Sequence, residues 1–242
     1  MVKLFLSLRV VLFYVGYAAL TLWFSLTGVL LLGLTPFRIR GRYMTGWNYC
    51  CVYWLRLTCG VKFEVIGKEN LSKAPYVALA KHQSQWETFF LQGYLFPVCF
   101  VLKQELLKVP VFGWGLRMMD PIGIDRGNPR RAMRQTQEQG LQRLANGNSV
   151  LIFPEGTRIA KGETSKFARG GTNLAIEAQV PIVPIAHNAG TYWPADKFLK
   201  LPGTVKIVIG KPIDTQGKDS RSLTEDVKSW IDQEVEKLES GS

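Results

Sequence analysis

From Val10 to Phe37 the chain carries no charged residue, a run of 28 positions. Coiled as a helix this run is about 42 Å long, more than the roughly 30 Å hydrocarbon core of a bilayer requires. A segment so long and so uniformly apolar suits the interior of a water-soluble domain poorly. A cleaved secretory signal fits no better, because the apolar region is too long and no small-residue cleavage site follows it. Two arrangements remain: one tilted spanning helix, or a helical hairpin set into one leaflet. In the hairpin the first arm ends near Gly33-Leu34-Thr35-Pro36. The second runs from Trp47 to Leu57, with Trp47, Tyr49, Tyr53 and Trp54 at the interface. Lys3 and Arg9 before the run, and Arg38, Arg40 and Arg42 after it, give the positive-inside rule no direction. Balanced flanks favour the hairpin, with both ends facing the cytoplasm and drawn to anionic head groups.

Charge narrows the class of partner. The net charge is +11, and residues 1–60 hold six basic groups and no acid, Glu64 being the first. A basic surface suits nucleic acid, an anionic membrane or a phosphorylated substrate. Nucleic acid is set aside, since about half the excess flanks an apolar segment and no helix-turn-helix, ribonucleoprotein or zinc-finger pattern is present. The four cysteines, Cys50, Cys51, Cys59 and Cys99, have no metal-ligand spacing, and only two histidines accompany them. No metal site is expected, and reduced thiols point to a cytoplasmic catalytic domain.

From Val61 onward short apolar runs alternate with helical stretches. Val61–Ile66, Tyr76–Ala80, Val98–Leu102, Val150–Phe153, Ile182–Ala186 and Val205–Ile209 read as strands. A helix spans Trp86 to Leu95. Another begins at Asn128-Pro129, a capping residue followed by proline at the first helical position, and stops at Gly147. Ser222-Leu223-Thr224-Glu225 fits a capping box opening an amphipathic helix to about Leu238, and Ser240-Gly241-Ser242 reads as a frayed end. The expected fold is therefore α/β: residues 61–242 form one domain with a mixed, mostly parallel sheet flanked by helices, and residues 1–60 form the membrane-associating hairpin.

Function gathers where such strands end. After the Tyr76–Ala80 strand comes Lys81-His82-Gln83-Ser84-Gln85-Trp86-Glu87. On a continuous helix five residues turn by about 140°, so His82 and Glu87 meet only if His82 lies on the turn and Glu87 reaches back from the first helical turn. That makes a base with its orienting carboxylate. The same letters also fit a structural capping box from Ser84 to Glu87. Lys103 ends another strand, Ile122-Gly123-Ile124-Asp125-Arg126 leads into the Pro129 helix, and Phe153-Pro154-Glu155-Gly156-Thr157-Arg158 follows a third. Singly these are a solvated lysine, a local Asp125–Arg126 pair and a turn. Together Lys103, Arg126 and Arg158 are cations suited to a phosphate dianion. Val180-Pro181-Ile182-Val183-Pro184-Ile185 reads as structural, with walling of an acyl-chain site as its other use.

The histidine-x4-carboxylate stretch, the Ile-Asp-Arg block, Phe-Pro-Glu-Gly-Thr-Arg and Val-Pro-Ile-Val-Pro, in that order across residues 76–186, resemble the glycerolipid acyltransferase family. The bacterial 1-acyl-sn-glycerol-3-phosphate acyltransferases are the most similar branch. The resemblance implies transfer of an acyl group from acyl-CoA or acyl-carrier protein to the sn-2 hydroxyl of lysophosphatidic acid, with no cofactor. It implies His82 as general base, Glu87 as its partner, and Lys103, Arg126 and Arg158 on the phosphate. It also implies Glu155, Gly156 and Thr157 around the acceptor, at the cytoplasmic face of the inner membrane. Glu87 departs from the pattern, which usually has Asp, adding one methylene of reach at equal charge. Gln83-Ser84 also differ, with no role attached. The alternatives are an acyltransferase for another lysolipid or glycerol 3-phosphate, and a non-enzymatic membrane-binding protein.

Overall fold

The computed structural model describes residues 2–71, 73 and 75–240; Gly241 and Ser242, read above as part of a frayed end, lie outside them. Helices α1 (Val2–Leu32) and α2 (Phe37–Cys59) form the expected hairpin. The second arm begins ten residues earlier than anticipated, directly after Pro36, which cannot continue α1 but readily starts a helix. Gly60, at φ 74°, takes the left-handed turn that ends α2 and donates its N–H to the Arg56 carbonyl. The two arms touch closely because Gly16 has no side chain: a Cβ there would lie 2.1 Å from Trp54 Nε1. The Trp54 N–H instead reaches the Phe13 carbonyl at 3.1 Å.

Beyond the hairpin the chain runs β1 (Val61–Ile66), β2 (Val77–Ala80), α3 (Trp86–Tyr94), β3 (Val98–Lys103), α4 (Phe112–Arg117) and β4 (Ile122–Ile124). It continues through α5 (Pro129–Ala145), β5 (Ser149–Ile152), α6 (Gly170–Glu177), β6 (Ile182–His187), α7 (Ala189–Tyr192), β7 (Gly203–Ile209) and α8 (Ser220–Ser240). The seven strands lie in the order β1-β7-β6-β2-β5-β3-β4. Every pair is parallel except β6 with β7, so the mixed, mostly parallel sheet stands as expected. All six predicted strands form, within two residues at each end. The three-residue β4 was read only as a lead-in to α5; it is held by pairing with Val101–Lys103, which no local signal announces.

Alternation along β2 explains the layers. Val77 and Leu79 face a core with Leu144 of α5, Leu174 of α6 and Leu223, Val227, Ile231 of α8. Ala78 and Ala80 face the opposite core, which includes Val10 and Phe13 of α1, Trp47 and Leu55 of α2 and Phe90 of α3. The period of two in a strand and the four-residue stripe of α8 dictate this sandwich. The hairpin thus shares its core with the sheet.

Several local expectations change. Trp47 is 3% exposed, in the core and not at an interface. Arg40 pairs with Asp120 at 2.6 Å and donates to the Arg117 carbonyl, and Arg38 donates to the Gly147 carbonyl. These two arginines clip the hairpin to the carbonyl ends of α4 and α5, where the helix dipole favours cations. The capping box at Ser222–Glu225 does not form: Asp219 accepts the N–H of Arg221 and Ser222, while Glu225 pairs with Arg221. Asn128 does cap α5, accepting the Arg131 N–H at 3.0 Å. The Val180–Ile185 block is sheet core, with Ile182, Val183 and Ile185 at 0% exposure and none of them lining the main cavity. The cysteines are all free thiols.

Candidate active site

Because β2, β3, β4, β5 and β6 run parallel, their carboxyl ends open on one edge of the sheet. There the chain leaves β2 through a tight turn and enters α3. Glu87, in the first turn of α3, points back under that turn. A single oxygen, Oε1, accepts the Gln83 N–H at 2.9 Å, the Ser84 N–H at 2.8 Å and His82 Nδ1 at 2.8 Å. The structural box and the base–carboxylate pair are therefore one arrangement, closed when Ser84 Oγ accepts the Trp86 N–H. Oε2 is buried with no hydrogen-bond partner among the described residues. Burial by itself would raise the Glu87 carboxyl. The neighbouring His187 and His82 rings and the Ser84 N–H outweigh it and hold the group below the ordinary carboxylate range.

Because Nδ1 holds the carboxylate, Nε2 is the ring nitrogen left for chemistry. The imidazole lies flat on Phe153, at 4.2 Å between ring centroids and 18° between planes. Its backbone is fixed on both sides, the N–H donating to Glu155 Oε2 at 2.7 Å and the carbonyl accepting the Ile159 N–H at 2.8 Å.

His82 lines a cavity of about 970 Å³. Lys103, Arg126, Thr157 and Arg158 line it too, while Tyr17 and Leu22 of α1, Trp47, Phe89 and Phe100 supply an apolar wall. The three expected cations thus share one space with the histidine. Lys103 is half-exposed with Glu105 4.0 Å away. Arg126 and Arg158 are in no ion pair among the described residues; the expected Asp125–Arg126 pair is absent, Asp125 facing Arg131 instead at 3.4 Å. Desolvation and the neighbouring Arg158 both push the Arg126 guanidinium below its ordinary value, against a smaller opposing pull from Glu105. Two like charges held close, neither in an ion pair among the described residues, make a place an anion would relieve.

Glu155 and Gly156 do not line this cavity. Glu155 turns inward: Oε1 meets Lys81 Nζ at 2.6 Å, with both side chains within 1% of full burial. Gly156, at φ 71°, supplies the left-handed step of the turn, its N–H bonded to the Phe153 carbonyl. Sequence reasoning passed over Lys81 and His187. Each is a polar residue closing a fully buried strand, and that position was the available signal. Gln83 also has a task, donating to Glu239 near the end of α8 at 2.8 Å and accepting the Gly190 N–H.

Such an edge, with an oriented imidazole over a partly apolar, cation-rimmed cavity, can deprotonate a hydroxyl held beside an anionic group. Comparisons with known proteins agree in kind. A family model described as "Acyltransferase" matches residues 62–188. The 1-acyl-sn-glycerol-3-phosphate acyltransferase of Pseudomonas aeruginosa is 42% identical over 236 residues, covering 96% of this chain and 92% of that protein. The yeast (Saccharomyces cerevisiae) protein of the same name is 31% identical over 194 residues, covering 78% of this chain and 64% of that one. The crystal structure of the 1-acyl-sn-glycerophosphate (LPA) acyltransferase PlsC from Thermotoga maritima superposes with a TM-score of 0.79 at 25% identity, covering 99% and 98% of the two chains. Sequence, fold and the arrangement at the strand ends converge on one assignment: this chain belongs to the acyltransferase family and is an O-acyltransferase, in the branch with the 1-acyl-sn-glycerol-3-phosphate acyltransferases.

Proposed function

We propose that the chain transfers an acyl group from an acyl thioester, on CoA or an acyl-carrier protein, to the sn-2 hydroxyl of lysophosphatidic acid, giving phosphatidic acid. The observation that carries this reading is the sharing of one cavity by His82 and two arginines, Arg126 and Arg158, neither of them in an ion pair among the described residues. Lys103, Arg126 and Arg158 hold the acceptor's phosphate, with Arg suited to bidentate contact. His82 Nε2 removes the hydroxyl proton as the oxygen attacks the thioester carbonyl; a C–O bond forms, the C–S bond breaks, and the proton passes to the departing thiolate. Glu87 fixes the tautomer and stabilises the imidazolium, as the acid does in a Ser-His-Asp triad, with the substrate hydroxyl in place of serine. Glu87 keeps this role although it is one methylene longer than the usual Asp.

The exposed apolar face of α1, including Leu8, Val15, Trp23 and Leu30, seats in a membrane leaflet. Tyr17 and Leu22 of the same helix wall the cavity, so the acceptor's chain passes from bilayer to site without crossing water. We infer that in the cell the catalytic part works at the cytoplasmic face of the inner membrane. The test is head-group dependence: transfer to lysophosphatidic acid compared with a neutral lysolipid of the same chain. Strong preference for the phosphate is expected; equal rates would remove the phosphate-clamp roles and reassign the acceptor.

A further inference from the structure

Lys81 is a fully buried lysine with every polar group engaged. Its N–H donates to the Ile185 carbonyl at 3.0 Å, and its ammonium meets Glu155 Oε1 at 2.6 Å and the Glu163 carbonyl at 3.5 Å. Its own carbonyl accepts from Nε2 of His187 at 2.7 Å. His187 is also fully buried, its Nε2 donating to that carbonyl and its Nδ1 lying 3.3 Å from the Ala189 N–H. The other oxygen of Glu155 accepts the N–H of His82 at 2.7 Å. Groups from the ends of β5 and β6 therefore grip the two residues that leave β2.

Burying two opposite charges is often no better for stability than burying apolar groups of the same size, so stability alone gives a weak account of Lys81 and Glu155. Geometry gives a stronger one. Glu155 spans consecutive residues, one oxygen on the Lys81 side chain and one on the His82 backbone, and its side chain has no access to the cavity.

We propose that Lys81, Glu155 and His187 are positioning residues that fix the peptide between Lys81 and His82, and through it the direction in which His82 Nε2 faces the acceptor hydroxyl. Glu155 acts on the base from behind and does not touch the acceptor, a reassignment of the role its motif suggests. The inference rests on His82 being the base.

Two double variants separate this from a structural role. Lys81→Met with Glu155→Gln removes the buried charges but leaves a carbonyl oxygen to accept the His82 N–H. Lys81→Met with Glu155→Leu removes the acceptor as well. The first is expected to keep kcat within about tenfold of wild type and the second to lose a further ten- to hundredfold, the scale of an ångström-sized misplacement, with KM for acceptor and donor unchanged in both. His187→Gln, which retains a donor toward the Lys81 carbonyl, is expected to keep more kcat than His187→Leu at similar thermal stability. Equal kcat in the two double variants, or a raised acceptor KM with kcat intact, overturns the inference. If Lys81→Met/Glu155→Leu does not fold, the His187→Gln and His187→Leu pair decides: equal kcat in those two overturns the inference. Separate failure of the base assignment would appear as activity retained in His82→Ala, which the double variants do not affect.

Discussion

Replacing Glu87 by Gln keeps the shape of the site and removes its charge. On the proposed mechanism His82 becomes an imidazolium in the transition state, facing a buried carboxylate across a 2.8 Å hydrogen bond. With charge centres about 4 Å apart and an effective dielectric near 20, that attraction is about 4 kcal/mol. At about 1.4 kcal/mol per decade, its loss lowers kcat by about a thousandfold. Glu87 does not line the cavity, so on the proposed mechanism KM should stay within about threefold. The fold should weaken as well. Oε1 receives three hydrogen bonds, and a charged acceptor is worth about 1 kcal/mol more per bond than a neutral one, which gives a loss of about 2–3 kcal/mol. The assay is thiol release from an acyl thioester with lysophosphatidic acid in mixed micelles, beside thermal unfolding of the same preparations. Glu87→Asp, shorter by about 1.5 Å, cannot keep all three bonds from one oxygen, and an intermediate loss is expected. Wild-type kcat in folded Glu87→Gln would refute the reasoning.

Four further outcomes follow. Arg126→Met and Arg158→Met should each raise KM for lysophosphatidic acid by about ten- to hundredfold, the worth of one charge-assisted contact, and leave a neutral acceptor nearly unaffected. Lys81→Met alone strands a buried Glu155 carboxylate and should cost about 3–5 kcal/mol in denaturant unfolding. Because the Glu87 carboxyl is held below its unfolded value, its contribution to stability is full above the ordinary carboxylate range and is lost as pH falls through the folded value. Glu87→Gln should therefore flatten the acid side of a stability–pH curve. Finally, Val15→Glu with Trp23→Glu, both on the exposed face of α1, should reduce co-sedimentation with anionic vesicles without unfolding the protein; unchanged sedimentation would argue against that face as the membrane seat. Deleting residues 1–60 is a poorer test, since Phe13, Trp47 and Leu55 belong to the core beneath the sheet.

Much of this was legible in the letters because the physics was local. An apolar run closed by Lys81 and His82 announces a buried strand, and Asn128-Pro129 announces a helix start. The five-residue step from His82 to Glu87 has one geometric solution, the one observed. What stayed hidden depended on distant partners. Glu155 carried a motif's expected role toward the acceptor, but its side-chain direction is set by Lys81, 74 positions away in sequence. Trp47 looked interfacial by composition, and only the packing of α1 and α3 around it makes it core. Arg38 and Arg40 looked like head-group ligands until the carbonyl ends of α4 and α5 came into reach. Ser222 lost its capping role to Asp219 because two carboxylate oxygens serve two N–H groups where a hydroxyl serves one.

The central claim is that His82 Nε2 takes the acceptor's proton. The most direct measurement is phosphatidic acid formation from an acyl thioester and lysophosphatidic acid by folded His82→Ala beside wild type. The account predicts a loss of about a hundred- to ten-thousandfold in kcat with unfolding temperature and vesicle binding retained. Transfer at the wild-type rate by that variant would contradict it.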